Sequence, residues 1–443
     1  MSYLRGNKDI IKMALPISLS IAFPQINFLT NTAFLGQLGE RELSVNGIAG
    51  IFYLILSMVG YGLSIGVQIQ LARRAGEGDT KSLTATFSNG LLLSLLFSIF
   101  LMLMSFLLTP LFFSWTLNDY ENRAINTKFL YYRAWGLPML LLAQLINTFF
   151  ISINKSRFLT YSSLTATVAT ILFDYLLIFG NYGFEAMGVK GSAIASVLGE
   201  AVGFITLCCF FIFNKFYRIY PIHRYFKWDM SQSLKSLKVA APLIVQFLFS
   251  IGGWQIFFIF VEHLGNKELA ASQILRSIFG IVSIGTWALA TTCNTMVSHA
   301  IGEGREQEVV PLIKRISRMS ISYVLIICTL LLAFSTEFLS LYRNDADLIA
   351  LALPSLRIII AGTLVMSLAT VAFNGVVGTG NTMINLSIEI VCVLIYLGYC
   401  YVVIQRMKLP LHWAWGSEFV YWGTLLAISY AYLASGRWKG KKL

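Results

Sequence analysis

The 443-residue sequence predicts an all-α integral membrane protein with twelve transmembrane helices in two homologous six-helix bundles. Three observations predict this class. With 57% hydrophobic and 12% charged residues, the chain has too little polar surface to cover a soluble globule of its size. Apolar runs of roughly 20 residues, enough to cross about 30 Å of hydrocarbon as helix, recur from end to end with no long polar domain between them. The two halves also repeat one another in a single register. The runs are too long for barrel strands of about ten residues, which excludes closed β structure.

The first span is expected at about 9–34, after a basic N-terminus that resembles a signal peptide but leads into a stretch too long for one. It is therefore read as an uncleaved first helix. The next five follow at about 44–71, 85–114, 125–152, 158–180 and 190–213. After a basic, aromatic linker at 214–235, the second six lie at about 236–261, 270–299, 319–336, 348–376, 383–405 and 413–435. The domains are thus 1–213, the cytoplasmic linker 214–235 and 236–443. Lys215, Arg218, Arg224 and Lys227 give the linker the chemistry of a segment that meets anionic headgroups, or of a solvated loop. With the N-terminus placed in the cytoplasm, 22 of the 33 Lys and Arg fall on that side and 8 on the other. Arg133, Arg276 and Arg357 lie inside spans. The positive-inside rule therefore predicts a multi-pass inner-membrane protein with both termini cytoplasmic. Trp115, Trp228, Trp413, Trp415 and Trp438 lie near span ends, where an indole suits the headgroup layer, and are expected to be anchors.

A shift of 226 residues superposes the halves without a gap over about 140 positions. Pro16 falls on Pro242, Leu38-Gly39 on Leu264-Gly265, and Glu42-Leu43 on Glu268-Leu269. Gly76-Glu77-Gly78 falls on Gly302-Glu303-Gly304, Asn118-Asp119 on Asn344-Asp345, and Gly136 on Gly362. The matches share one register and sit at loops and kinks. Six spans per half is an even number, so the halves have the same orientation, with a pseudo-two-fold axis along the membrane normal and a cleft between the bundles.

A carboxylate at the centre of a bilayer costs roughly 2.5 to 3.5 kcal/mol on insertion scales, so an intramembrane acid marks a candidate site. Asp174 lies inside span five on a face with Ser163, Thr167 and Thr170. Span six carries Ser192, Ser196, Gly199, Glu200 and Gly203, bringing a second acid onto a small, polar face. Asn27 and Asn31 on span one, and Tyr53, Ser57, Ser64 and Gln68 on span two, add polar groups. One reading is a set of protonated groups tying helices together, with Thr and Gly permitting close approach. The sharper one is a polar pocket whose two acids, resisting simultaneous ionisation in low dielectric, bind and release H+ or Na+. In the second half, Glu389 is expected to contact an arginine or the cytoplasmic interface, and Glu418 lies near the start of span twelve. Arg276 either counters a carboxylate or lines the cleft, where Trp254 and Met366, with Phe257 and Trp287, offer adaptable apolar walls.

The net charge of +12 is explained by loop position and does not call for nucleic acid. The six cysteines lie in apolar segments without paired spacing, and the four histidines are scattered. No phosphate-cradling loop is present. A membrane hydrolase would need a reactive cluster, for which only Asp174 and Glu200 could serve.

The residues resemble the multidrug and toxic compound extrusion (MATE) family over essentially the whole chain. The resemblance is carried by Ala14-Leu15-Pro16, the run Asn31 to Gly39, Gly62-Leu63-Ser64 and Ala75 to Asp79. It continues through Arg133 to Pro138, Phe173 to Gly180 and Gly188 to Ser196. It implies a V-shaped pair of six-helix lobes and alternating access. The implied activity is antiport, exporting organic, cationic or amphiphilic compounds in exchange for H+ or Na+, with no other cofactor. The alternative is a lipid or lipid-linked precursor flippase of the same superfamily. The implied partners are small organic substrates and the lipid bilayer, with the chain acting as a monomer. The resemblance favours the DinF-like branch, which makes Asp174, Glu200, Asn31, Thr170 and Ser196 the ion-coupling set, with Na+ or a proton at Asp174. Asn31 stands where the family usually has an Asp, and Glu200 where a Gln is common. Ser250 and Met366 stand where NorM-like members carry acids. Substrate-cleft candidates are Asn27, Tyr53, Ser57, Gln68, Arg276, Trp254 and Met366.

Overall fold

The computed structural model describes residues 6–117, 119–342 and 345–440, and no strand occurs among them. The first six predicted spans form α1 (Asn7–Leu38), α2 (Glu40–Glu77), α3 (Thr80–Thr116), the pair α4 (Tyr120–Ala134) and α5 (Leu137–Ser152), α6 (Arg157–Phe179) and α7 (Val189–Phe213). Two single turns follow in the linker, α8 (Phe216–Ile219) and α9 (Ile222–Tyr225). The second half comprises α10 (Met230–Glu262), α11 (Asn266–Gly302), α12 (Val309–Ala333), α13 (Ser335–Tyr342) and α14 (Ala346–Gly378). It ends with α15 (Thr382–Cys400), continued by a π-helical turn Tyr401–Arg406, then α16 (Leu411–Trp415) and α17 (Ser417–Ser435). Among the described residues ten helices are long and apolar enough to cross a bilayer, and the bent pair α4–α5 makes eleven. The twelfth predicted span is α17, whose 19 residues include Glu418, Tyr421, Tyr430 and Tyr432 and which is not one of these eleven.

By contacts the chain forms two compact units, Leu19–Ile244 and Val245–Leu443 with Met1–Ser18. The first boundary falls in α1 between Pro16 and Pro24. The second falls within α10, beyond residue 235 where the sequence halves divide, because the start of α10 is fastened to α2 and α3. A Cβ on Gly66 would lie 2.5 Å from Ala240 Cβ, Gln70 Nε2 donates to Ser236 Oγ (3.2 Å), and Ser233 Oγ donates to Asn89 Oδ1 (2.9 Å).

α3 shows why such helices need lipid. Leu96, Phe100, Leu103, Leu107 and Leu111 are exposed, while Ser94, Ser98, Ser105 and Thr109 are buried. Small polar side chains face the protein, where they permit close packing, and large apolar ones face outward, the reverse of a soluble bundle. The repeat is visible in the caps. Gly78 (φ 73°) and Gly304 (φ 74°) end α2 and α11 in the left-handed region that a side chain disfavours. Asp119 and Asp345 cap α4 and α14 through side-chain bonds to Glu121 N and Asp347 N. Asn118 and Asn344, also part of the repeat, lie outside the described residues. The halves differ at Pro138: it has no amide to donate to Ala134, and α4 ends there with a 49° bend into α5. The equivalent position holds Leu364, and α14 runs on unbroken.

Two expected tryptophan anchors are core residues. Trp415 is fully buried against Phe257 and donates from Nε1 to Ser272 Oγ (3.1 Å), while buried Trp438 donates to Leu433 O (2.9 Å). Proximity to a span end did not reveal that each indole N–H has an internal acceptor, which is what makes its burial affordable. Trp115, Trp228 and Trp413 are exposed.

Candidate functional site

Asp174 sits on α6 with no exposed surface. Its face is held tightly to α7 because α7 presents glycine: a Cβ on Gly199 would collide with Thr170 Oγ1, and one on Gly203 would lie 3.0 Å from Ala166 Cβ. Asn31 of α1 donates one amide hydrogen to Asp174 Oδ2 (3.1 Å) and the other to Ser192 Oγ of α7 (2.7 Å). Among the described residues Asp174 Oδ1 has no hydrogen-bond partner. One amide side chain thus ties three helices together around a carboxyl group that has spare acceptor capacity and no salt-bridge partner among the described residues.

Glu200 lies farther along α7 in different surroundings. Arg133 Nη2 donates to its Oε1 (2.7 Å), and Tyr53 OH lies 3.1 and 3.0 Å from its two oxygens. The Arg133 guanidinium stacks over the Tyr53 ring at 3.8 Å. Arg133 is one residue from the end of α4, and Gly136 in the break leaves room for Glu200: a Cβ there would collide with Glu200 Oε2. The bend at Pro138 therefore brings a cation beside the second acid. The two acids do not share a site as a bare pair: Glu200 is neutralised by Arg133 and Asp174 is not.

The sequence model of the MatE family matches residues 16–176, which hold Asn31, Tyr53, Arg133 and Asp174, and matches again over residues 242–402. The chain belongs to the MatE family. The matched segments start and end 226 residues apart, the offset of the internal repeat. A probable multidrug resistance protein NorM from Synechocystis sp. is 25% identical over 350 residues, covering 77% of this chain and 74% of that protein. A protein of the same description from Thermotoga maritima is 20% identical over 440 residues, covering 98% and 93%. A solved multidrug resistance MATE family transporter of the MOP superfamily, in an outward-facing conformation, superposes with a TM-score of 0.89 at 16% identity over 99% of this chain and 98% of its own, a likeness of fold.

As a MatE chain, the protein is a multi-pass membrane transporter and not an enzyme. Within it, Asn31 and Asp174 come together across 143 residues of sequence. Thr170 is buried and donates to Ala166 O (2.9 Å), so its hydroxyl hydrogen is used within its own helix. Ser196 is half-buried, and it is Ser192, one turn earlier, that meets Asn31. Ser192 was visible in the small-residue stripe, and Arg133 as a cation inside a span, but neither carried a sign of its partner. Asn27 is half-buried, Ser57 donates to Leu54 O (2.8 Å), and Gln68 is enclosed in its unit. In the other unit Met366 is fully buried and touches Ser283 Oγ (3.6 Å).

Among the described residues Arg276 counters no carboxylate. Its guanidinium lies over the rings of Trp254 (5.1 Å) and Phe258 (5.2 Å), an arrangement in which the aromatic quadrupoles face the charge. Nor does Glu389 meet an arginine or the interface: it is fully buried, with Ser250 and Tyr421 as its hydrogen-bond partners. Its position two turns into α15 suggested the helix end, but α10 and α17 close over it.

Proposed function

We propose that this chain exports organic compounds, cationic or amphiphilic, across the bacterial inner membrane in exchange for H+ or Na+, with both termini in the cytoplasm and Asp174 as the principal coupling group. The observation that carries the reading is the buried Asp174, with one oxygen on Asn31 of α1 and the other without a partner among the described residues. The multidrug resistance descriptions of the bacterial relatives support the substrate class. The 22-to-8 distribution of basic residues supports the orientation.

An incoming cation neutralises Asp174 and reduces its demand for the Asn31 amide, which is free to favour Ser192. Because Asn31 is on α1, occupancy of the acid biases the placement of a helix that contains Pro16 and Pro24. Pro24 removes a backbone hydrogen bond within the part of α1 that belongs to the Leu19–Ile244 unit, lowering the cost of bending there. Coupling requires only that cation and substrate prefer different placements. Each inward charge supplies roughly 2.3 kcal/mol per 100 mV. Glu200, clamped by Arg133 and Tyr53, holds α2, α4 and α7 in register.

Neutralising both acids tests the reading. D174N/E200Q protein is expected to insert normally and to reduce dye or fluoroquinolone efflux to the level of cells lacking the transporter. Unchanged efflux in that double variant overturns the proposal. Proton release from purified protein on addition of substrate, measured with and without Na+, identifies the coupling ion.

A further inference from the structure

The Val245–Leu443 unit contains a buried acid that the coupling scheme above does not use. We propose that Glu389 is a second proton-exchange site, caged by the hydroxyls of Ser250 and Tyr421. Glu389 is fully buried on α15; its Oε1 is in hydrogen-bond reach of Ser250 Oγ on α10 and accepts from Tyr421 OH on α17 (2.8 Å). Its Oε2 has no partner among the described residues. One turn earlier Asn385 Nδ2 donates to Gln246 Oε1 (2.6 Å), and among the described residues Asn385 Oδ1 is likewise without a partner. Polar groups from three helices thus meet at Glu389.

The groups around it are few. α17 contributes Tyr421 and Glu418, the latter also buried and accepting from Trp422 Nε1 (2.7 Å). α15 itself contributes Cys392 and Tyr396, whose ring is 5.8 Å from that of Tyr421. Neither α15 nor α17 contains a Lys or Arg. The lysines of α10, Lys235 and Lys238, precede Ser250 by at least three turns, about 18 Å. The one arginine of α14, Arg357, is exposed, and Arg437 borders an outer groove beside Ser387 and Ile388. Among the described residues no ion pair reaches Glu389.

Hydrogen counting supports a proton. Ser250 has one hydroxyl hydrogen but two acceptors in reach, Gln246 O (3.1 Å) and Glu389 Oε1. With Glu389 ionised, that hydrogen turns to the carboxylate. With a proton on Oε1, the acid donates to Ser250 Oγ, Ser250 donates to Gln246 O, and Tyr421 continues to donate. Both protonation states satisfy the two hydroxyls and Oε1 on the same heavy atoms, so a proton can be bound and released without moving those side chains. This site is independent of Asp174 and sets an upper limit of one additional proton per cycle.

The test is proton uptake and infrared absorption of the protonated carboxyl group, recorded on the purified full chain in nanodiscs between alkaline and acid buffers. In a D174N/E200Q background, where failure of the coupling scheme cannot interfere, E389Q is expected to remove one carboxylic acid carbonyl signal and lower uptake by one proton per chain. E418Q is expected to leave that signal in place. S250A and Y421F, which remove donors to the ionised form, are expected to raise the pH at which the signal appears. Replacing K+ with Na+ should change neither quantity. Unaltered uptake in E389Q, a signal lost only in E418Q, displacement of the proton by Na+, or a midpoint unmoved by both cage variants each overturns the proposal.

Discussion

Asp174 and Glu200 project from adjacent helices with the same charge and meet opposite surroundings. Glu200 receives a guanidinium and a phenol; Asp174 receives one amide and keeps an oxygen bare. The Arg133–Glu200 pair is 85% enclosed on both sides, so removing one partner leaves a charge with little water to receive it. R133A is therefore expected to lower stability by about 3 kcal/mol, and R133M/E200M to recover most of it, measured as the denaturation midpoint of detergent-purified protein. Equal midpoints for R133A and wild type would show the pair to be solvated. The two acids were legible in the sequence because any charge inside an apolar run stands out. Their partners were not, since Arg133 is 67 residues from Glu200 and Asn31 is 143 from Asp174.

Helix ends and helix contacts follow from shorter-range causes. Pro138 explains why α4 and α5 are two helices where α14 is one, and that break lets Arg133 and Gly136 meet Glu200. The α6–α7 contact depends on absent side chains. G199A drives a methyl group into Thr170 Oγ1 and to 3.0 Å from Ala166 O, and is expected to cost about 1 to 3 kcal/mol by overpacking. Adding T170A removes the closer obstacle and should recover part of the loss, which thermal unfolding of the single and double variants can measure. No recovery in the double variant would place the strain at the Ala166 backbone. The Gly199–Gly203 spacing was readable as a packing face, whereas the burial of Trp415 was not, because its acceptor Ser272 is 143 residues away.

For the whole molecule, the repeat gives a topological prediction. Because each half has an even number of spans, the turns at Gly78 and Gly304 should face the same side. Single cysteines placed at Asp79 and Arg305 in a cysteine-free background are expected to react with an impermeant maleimide only after the cytoplasmic face is opened. Labelling of one from each side would break the parity argument. The sequence alone determined the membrane class, the helix inventory, the 226-residue repeat and which acids lie in apolar surroundings. All of these rest on local hydrophobicity, chain length and punctuation by Gly, Pro and Asp. Only the tertiary structure decided which acid is neutralised, which is left open, and that Glu389 belongs to a hydroxyl cage. A hydrogen bond is specified by the meeting of two side chains over a few ångströms, and the partners here are brought together by helices far apart in sequence.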